Sequence, residues 1–332
     1  MLIRLQYFIL VCSLGMCCLF ASCNNKQQRE VVVYTSVDQP IAAPILRDFE
    51  KQHGIHVVVL TDSEATKSAG LSERLLAEKD HPQSDVWWSN EAFRTISLAS
   101  QGVLAPYRSP SATDIPQEFK DTDHYWAGAG LRVRVIAVSD SIPKNVPVPE
   151  HLSDLGNPIF KKRIAIARPT AGTTGSFVAA LYLLWGDQQA DLFFHKLHDN
   201  GIALVGGNSV VADYVGQGQF WAGLTDNDDV ANAQANELKL HSVLPDQDSF
   251  GTLPIPGSVA LVAGAQHPVE AKELIDYLLS SDVEHKLVAA HSAAWSVRDK
   301  SRTANFMVLD FKKIAAMMPS AVNRATSILE GR

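Results

Sequence analysis

The chain has 332 residues, 46% of them apolar and 20% charged, and carries a formal net charge of -7. A chain of this length builds about two compact units rather than one, and the ordinary Gly, Pro and aromatic content excludes collagen, coiled-coil and disordered classes. The acidic balance excludes a binder of the phosphate backbone, which would concentrate Lys and Arg, so nucleic acid is not an expected partner.

All four cysteines, Cys12, Cys17, Cys18 and Cys23, lie in the first 23 residues. Free Cys behaves as a small hydrophobe that cytosolic cores use freely, so the cysteine-free remainder suits folding in an oxidising compartment. Arg4 precedes an apolar run from Leu5 to Phe20, which ends in Ala21, Ser22 and Cys23 and gives way to polar Asn24 to Gln28. The run is shorter than the ~20 residues of a membrane span, and its small-residue end marks a cleaved export signal. Ala21 and Ser22 before Cys23 resemble a bacterial lipobox, with Phe20 where Leu is usual. The expectation is a signal peptide over residues 1–22, a lipid-bearing Cys23 that anchors the protein to a membrane, and a tether over 23–30. An ordinary cleaved signal with a coincidental Cys is the alternative.

From Val31 onward, short apolar runs predict buried strands at Val31–Tyr34, Ile55–Leu60, Val86–Trp88, Ile164–Ala167, Ile202–Val205, Phe220–Leu224 and Val259–Val262. Between them lie helical periods. Ile41, Ile45 and Phe49 recur every four residues and stop at Gly54; Leu71, Leu75 and Leu76 form a second stripe, and Ile96, Ala99 and Val103 a third. This alternation is the signature of an α/β fold with a mainly parallel sheet. Two long extended runs, Arg132–Val138 and Phe250–Val262, interrupt it and read as segments that cross from one lobe to another and back. The division expected is a first lobe of residues 31–135 plus 257–332 and a second of 136–256.

Ligands of open α/β sheets sit beyond the carboxyl ends of the strands, which singles out five loops. Thr35, Ser36, Val37 and Asp38 follow the first strand, with Asp38 either a ligand contact or the N-cap of the next helix. Thr61–Lys67 follows the second and offers Glu64 or Thr66 to a cleft rim, or is a plain surface loop. Ser89, Asn90 and Glu91 follow the third; Glu91 either contacts ligand or stabilises a helix N-terminus. The turn Arg168–Gly175, with Gly172, Thr173 and Thr174 at its centre, opens a helix and forms a ready anion site. Asp226–Asp229 offers hard oxygens to a cation or acceptors to a ligand amine. No His-Glu-x-x-His, Gly-x-Ser-x-Gly or Cys-x-x-Cys occurs, which sets a metal-dependent hydrolase aside.

The phrases VVVYTSVDQPIAAPILRDFEKQHGIHV, SDVWWSNEAFRTISLASQGVLAPY, ARPTAGTTGSF, FWAGLTDNDD and GTLPIPGSVALV, in that order, resemble periplasmic iron(III)-type solute-binding proteins of ATP-driven importers. The resemblance implies two α/β lobes joined by a two-stranded hinge, a ligand cleft between them, an ABC permease with its ATPase as partner, a monomeric state, a place in the periplasm or on the cell surface, and no enzymatic activity. It places Asp38 where ferric binders carry a His ligand and Asn90 where they carry a Glu, with Glu91 one residue off. Ser36, Asp38, Asn90, Glu91, Gly172, Thr173, Thr174, Asp226 and Asp228 are the implied ligand contacts, and Asp38, Glu91, Asp226 and Asp228 the implied metal donors. The Gly-Thr-Thr turn would hold a synergistic anion beside ferric iron, or the phosphate of a phosphonate or sugar-phosphate ligand. The paired tyrosines of ferric binders are absent near Asp226. Ferric iron with an anion is the expectation, and an organic phosphate or phosphonate the alternative.

Overall fold

β-Branched and aromatic residues with small turn residues between them set the strands. The structure, a computed structural model, describes residues 29–62 and 69–332; the expected signal peptide, Cys23, Glu64 and Thr66 lie outside the described residues. The first half is built from β1 (Glu30–Thr35), α1 (Gln39–His53), β2 (His56–Thr61), α2 (Ala69–Ala77), β3 (Val86–Ser89), α3 (Phe93–Ser100), β4 (Leu104–Ala105) and β5 (Ala127–Ser139). Then come β6 (Ile164–Ala167), α4 (Thr174–Trp185), α5 (Asp187–Asp199), β7 (Ala203–Val205), α6 (Asn208–Gly216), β8 (Ala222–Asp226), α7 (Asn227–Ala235) and β9 (Leu240–Val243). The chain returns through β10 (Pro254–Val262) and ends in α8 (Pro268–Leu278), α9 (Ser281–Ala289) and α10 (Phe311–Leu329).

The strands follow the order β2-β1-β3-β10-β5-β8-β6-β7, with β4 on β10 and β9 on β5. The ladders β1–β2, β1–β3, β6–β7 and β6–β8 are parallel, and every antiparallel ladder among the described residues involves β5 or β10. The sheet is therefore mixed, because the two crossing strands run against the βαβ units on either side. Strand β5 pairs with β10 through Val133 and with β8 from Arg134 onward.

Side chains alternate faces along a strand, so each half of the sheet carries two apolar layers. In the first lobe Trp88 packs with Phe49, Leu274 and Val283, while Trp87 points the other way, to Ile96 and Ala260. In the second, Ile136 and Ile166 pack on α4 and α5, and Val135 and Ala165 on α6. Along β10, Ile255 enters the second lobe's core and Val259 the first. Each such side chain stabilises by ~1.5–3 kcal/mol when fully buried. Both crossing strands thus anchor in both lobes.

Helix α4 is buried without a break from Thr174 to Tyr182, as a helix apolar on all sides must be. Helix α10 supplies part of its cover: Ile314, Met318, Ala321 and Ala325 join the second lobe's core, whereas Ala315 reaches the first. A Cβ at Gly175 would lie 3.0 Å from the Pro169 carbonyl oxygen and 3.2 Å from Val322 Cγ2, so a larger residue there would press both on the turn before α4 and on α10.

Candidate functional site

The parallel strands of both lobes end in loops, and two arginines of β5 draw several of those loops together. Arg134 is fully buried. Its Nη1 donates to Asp226 Oδ1 at 3.1 Å, to Asn208 Oδ1 at 3.1 Å and to Thr173 Oγ1 at 3.4 Å. Its Nη2 donates to Thr174 Oγ1 at 3.3 Å and to the Leu224 carbonyl at 3.0 Å. The guanidinium carbon lies 5.1 Å from the centre of the Phe177 ring, a stabilising placement for a buried cation.

Arg132, two residues earlier on the same face of β5, donates from Nη1 to Asp228 Oδ2 at 2.9 Å, Asp228 Oδ1 at 3.1 Å and Asp226 Oδ2 at 3.3 Å. From Nη2 and Nε it donates to the Asn90 carbonyl at 2.8 and 3.2 Å. Burial works against the Arg132 charge, but Asp228, Asp226 and Asp229 outweigh it and lift its pKa above the ordinary value. The guanidinium stays charged.

Asp226 caps α7 in a reciprocal box with Asp229, whose carboxylate also accepts from Thr225 Oγ1 at 2.8 Å. Thr173 Oγ1 donates to Asp226 Oδ2 at 2.6 Å, and Thr174 Oγ1 to Asn208 Oδ1 at 3.1 Å. Asn208 Nδ2 donates back to Thr173 Oγ1 at 2.8 Å. The two threonine hydroxyls are therefore spent inside the protein and do not offer themselves to a ligand. What the turn offers instead is backbone. Helices α4 and α6 both start without a side-chain cap, at Thr173 and Gly207, and Asn208 ties the two N-termini together. Gly172 and Asn208 are partly exposed beside them, and Gly172 has φ +51°.

In the first lobe, Ser36 Oγ donates to Asn90 Oδ1 at 3.1 Å and accepts from Asn90 N at 3.0 Å. Asp38 stands half-buried at the N-cap of α1, its carbonyl accepting from Ile41 and Ala42. Glu91 is buried and turned into α3, accepting from Phe93 N at 2.7 Å and Arg94 N at 3.2 Å. Burial raises its pKa above the usual carboxylate range, against the pull of Arg94, the two N–H groups and Arg132. It serves as a helix cap. Ser36 and Asn90 thus join Asp226, Asp228, Thr173 and Thr174 in one network through Arg132 and Arg134, and Glu91 points elsewhere. Oxygens of Asp226, Asp228 and Asp229 lie within 4.8 Å of one another, a spacing a hard cation can use.

Residues 30–291 match the family model of bacterial extracellular solute-binding proteins. The chain belongs to that family. This solute-binding protein is 25% identical over 233 residues to a probable ABC transporter periplasmic-binding protein of Sinorhizobium fredii, covering 67% of this chain and 62% of that one. It is 23% identical over 219 residues to a putative 2-aminoethylphosphonate-binding periplasmic protein of Salmonella typhi, covering 65% and 63%. Its fold is that of the ferric binding protein of Campylobacter jejuni, with TM-score 0.78, 20% identity and coverage of 90% and 99%. It is equally that of the periplasmic binding protein AfuA of Actinobacillus pleuropneumoniae with fructose-6-phosphate bound, with TM-score 0.80, 21% identity and coverage of 92% and 99%. The shared architecture of this solute-binding protein and those two is two-lobed.

Sequence reasoning about this solute-binding protein missed Arg132, Arg134 and Asn208. The signal for the arginines was Arg-Val-Arg inside an otherwise apolar strand, since a buried guanidinium requires a carboxylate partner. For Asn208 it was Gly206-Gly207-Asn208 directly after a strand, the pattern of a helix start.

Proposed function

We propose that this protein is the substrate-binding component of an ABC importer and that its ligand is a small organic anion bearing a phosphate or phosphonate group. The observation that carries the reading is the engagement of Asp226 and Asp228 by Arg132 and Arg134. A trivalent cation entering there meets two guanidinium charges and must compete for carboxylates already bonded to them. A phosphate would instead take the backbone of the Gly172 turn, beside the N-termini of α4 and α6, which lack side-chain caps and are tied together by Asn208. The names of the Salmonella relative and of the fructose-6-phosphate complex agree with this chemistry.

Ferric iron with an anion is the second reading. It is favoured by the mutual spacing of the Asp226, Asp228 and Asp229 oxygens and requires Arg132 to swing away from them. In either case the lobes close on the ligand by bending where β5 and β10 cross, with residues 31–135 and the chain from 257 through α9 on one side and 136–256 on the other, and with α10 packed chiefly in the core of the second. The closed monomer then docks on a permease and its ATPase, held at the periplasmic or cell-surface side of a membrane through lipid on Cys23. It binds and releases its ligand without chemistry.

A thermal-shift panel of inorganic phosphate, hexose 6-phosphates, 2-aminoethylphosphonate and ferric citrate tests the reading. At a hundredfold excess over Kd a ligand stabilises by ~2.7 kcal/mol, so the true class stands out as a rise of several degrees. A rise with ferric citrate alone, absent with trisodium citrate, selects the second reading.

A further inference from the structure

The Arg132 guanidinium is held from both sides of the cleft. On one side is the carbonyl of Asn90, at the end of β3, at 2.8 Å; on the other is the carboxylate of Asp228, in the first turn of α7, at 2.9 and 3.1 Å. The same side chain borders a small cavity with Ser89, Asn90, Gly257 and Ser292. Asp226 is fixed independently of Arg132, through Arg134, the Thr173 hydroxyl and its own capping box. Both Asp228 oxygens accept from the single Nη1 of Arg132, so this is the donor an incoming oxyanion would take over. Its side chain is 8% exposed against 1% for Asp226, so it is the carboxylate nearer solvent.

We propose that Asp228 is an internal stand-in for the oxyanion of the ligand, and that an incoming oxyanion displaces it from Arg132. Arg132 is then the residue that recognises the oxyanion, through Nη1. Asp228 sets the threshold such an anion must exceed. The exchange matters for closure, because Arg132 keeps its hold on Asn90 while trading its partner on the other lobe. The inference rests on the oxyanion reading above for the identity of the ligand but not for its own test.

That test uses inorganic phosphate as the probe and three full-length proteins: wild type, Asp228→Asn, and Asp228→Asn with Arg132→Gln. The phosphate concentration that gives half of the maximal thermal shift should fall at least tenfold in Asp228→Asn and return to the wild-type value or above in the double variant. A midpoint within twofold of wild type in Asp228→Asn, or no response to phosphate, overturns the proposal. So does a gain that survives Arg132→Gln. Near-UV circular dichroism checks the fold, and Asp228→Ala substitutes should the Asn variant lose it. In wild type, the Arg132 Nη1–H resonance should move on phosphate addition, and an unmoved resonance at saturating phosphate also overturns the proposal. If no organic phosphate binds wild type and Asp228→Asn still gains phosphate through Arg132, the ligand reading fails and this one stands.

Discussion

Nη1 of Arg134 lies 3.1 Å from Oδ1 of Asp226, and neither side chain is more than 1% exposed. The pair sits where β5 leaves β10 and begins to pair with β8, since Arg134 is opposite Asp226 in that ladder. Through Thr173, Thr174 and Asn208 it also fixes the starts of α4 and α6. One buried ion pair therefore sets both the lobe's internal register and the shape of the candidate anion site.

Removing one member of such a pair leaves an uncompensated buried charge. Arg134→Met should destabilise the protein by ~3–5 kcal/mol, read as a lower urea midpoint. Arg134→Met with Asp226→Leu should recover a large part of that loss. A single-variant loss below about 1 kcal/mol would show that water reaches Asp226 and the pair is not structural.

Gly172 separates backbone conformation from ligand affinity. A Cβ there meets only Asn208 Nδ2 at 3.7 Å, yet φ is +51°. Gly172→Ala should cost ~1–2 kcal/mol of stability from the left-handed backbone alone. Gly172→Asp adds a negative charge beside two helix N-termini and should weaken a phosphate-type ligand at least tenfold, ~1.4 kcal/mol. Calorimetry of the Ala and Asp variants, each with its fold checked, tests this. Equal affinity in the two would move the ligand away from the turn.

Asp246 gives a pH signature outside the cleft. It is 3% exposed, its Oδ2 accepts from Leu152 N at 3.3 Å, and burial first of all raises its pKa from 3.8 to about 6. The folded state holds this proton more tightly than the unfolded chain. The associated stability is present below pH about 4 and is lost as pH rises through about 6. Asp246→Asn should raise stability at pH 8 by roughly 1–2 kcal/mol, discounted for solvent screening, and change little at pH 4. A pH-independent difference would assign the effect to packing.

Cys23→Ala tests the proposed anchor. The variant should move from the membrane pellet to the soluble fraction and lose the mobility shift of acylation. An unchanged pellet fraction with unchanged mobility would contradict it.

Much of the fold is legible because burial writes itself as runs. Val31–Tyr34, Val86–Trp88 and Ile164–Ala167 are strands where apolar runs sit between helical periods, and α1 stops at Gly54, which has φ +64°. The start of β5 was not legible: residues 127–130 are alternating Ala and Gly, small residues of weak strand propensity. Their smallness is required by neighbours, since a Cβ on Gly128 would come within 2.8 Å of the Phe119 carbonyl. Val103 had the period of α3 but falls after Gly102, where φ is +71° and the helix has ended. In the site, the loops were legible from strand ends, whereas the roles of their side chains were not. Thr173, Thr174 and Glu91 look like ligand groups in sequence and are turned inward by partners, Arg134 and the α3 backbone, distant in the chain or hidden in its folding.

On the proposed reading, the site takes an oxyanion and not a ferric ion. Isothermal titration of the purified wild-type protein with hexose 6-phosphates and 2-aminoethylphosphonate, alongside elemental analysis after incubation with ferric citrate, tests it most directly. At least one phosphate- or phosphonate-bearing compound should bind with Kd near or below ~1 μM, about -8.2 kcal/mol, and no iron should be retained. Retention of one iron per chain, with no heat from any phosphorus oxyanion, would contradict it.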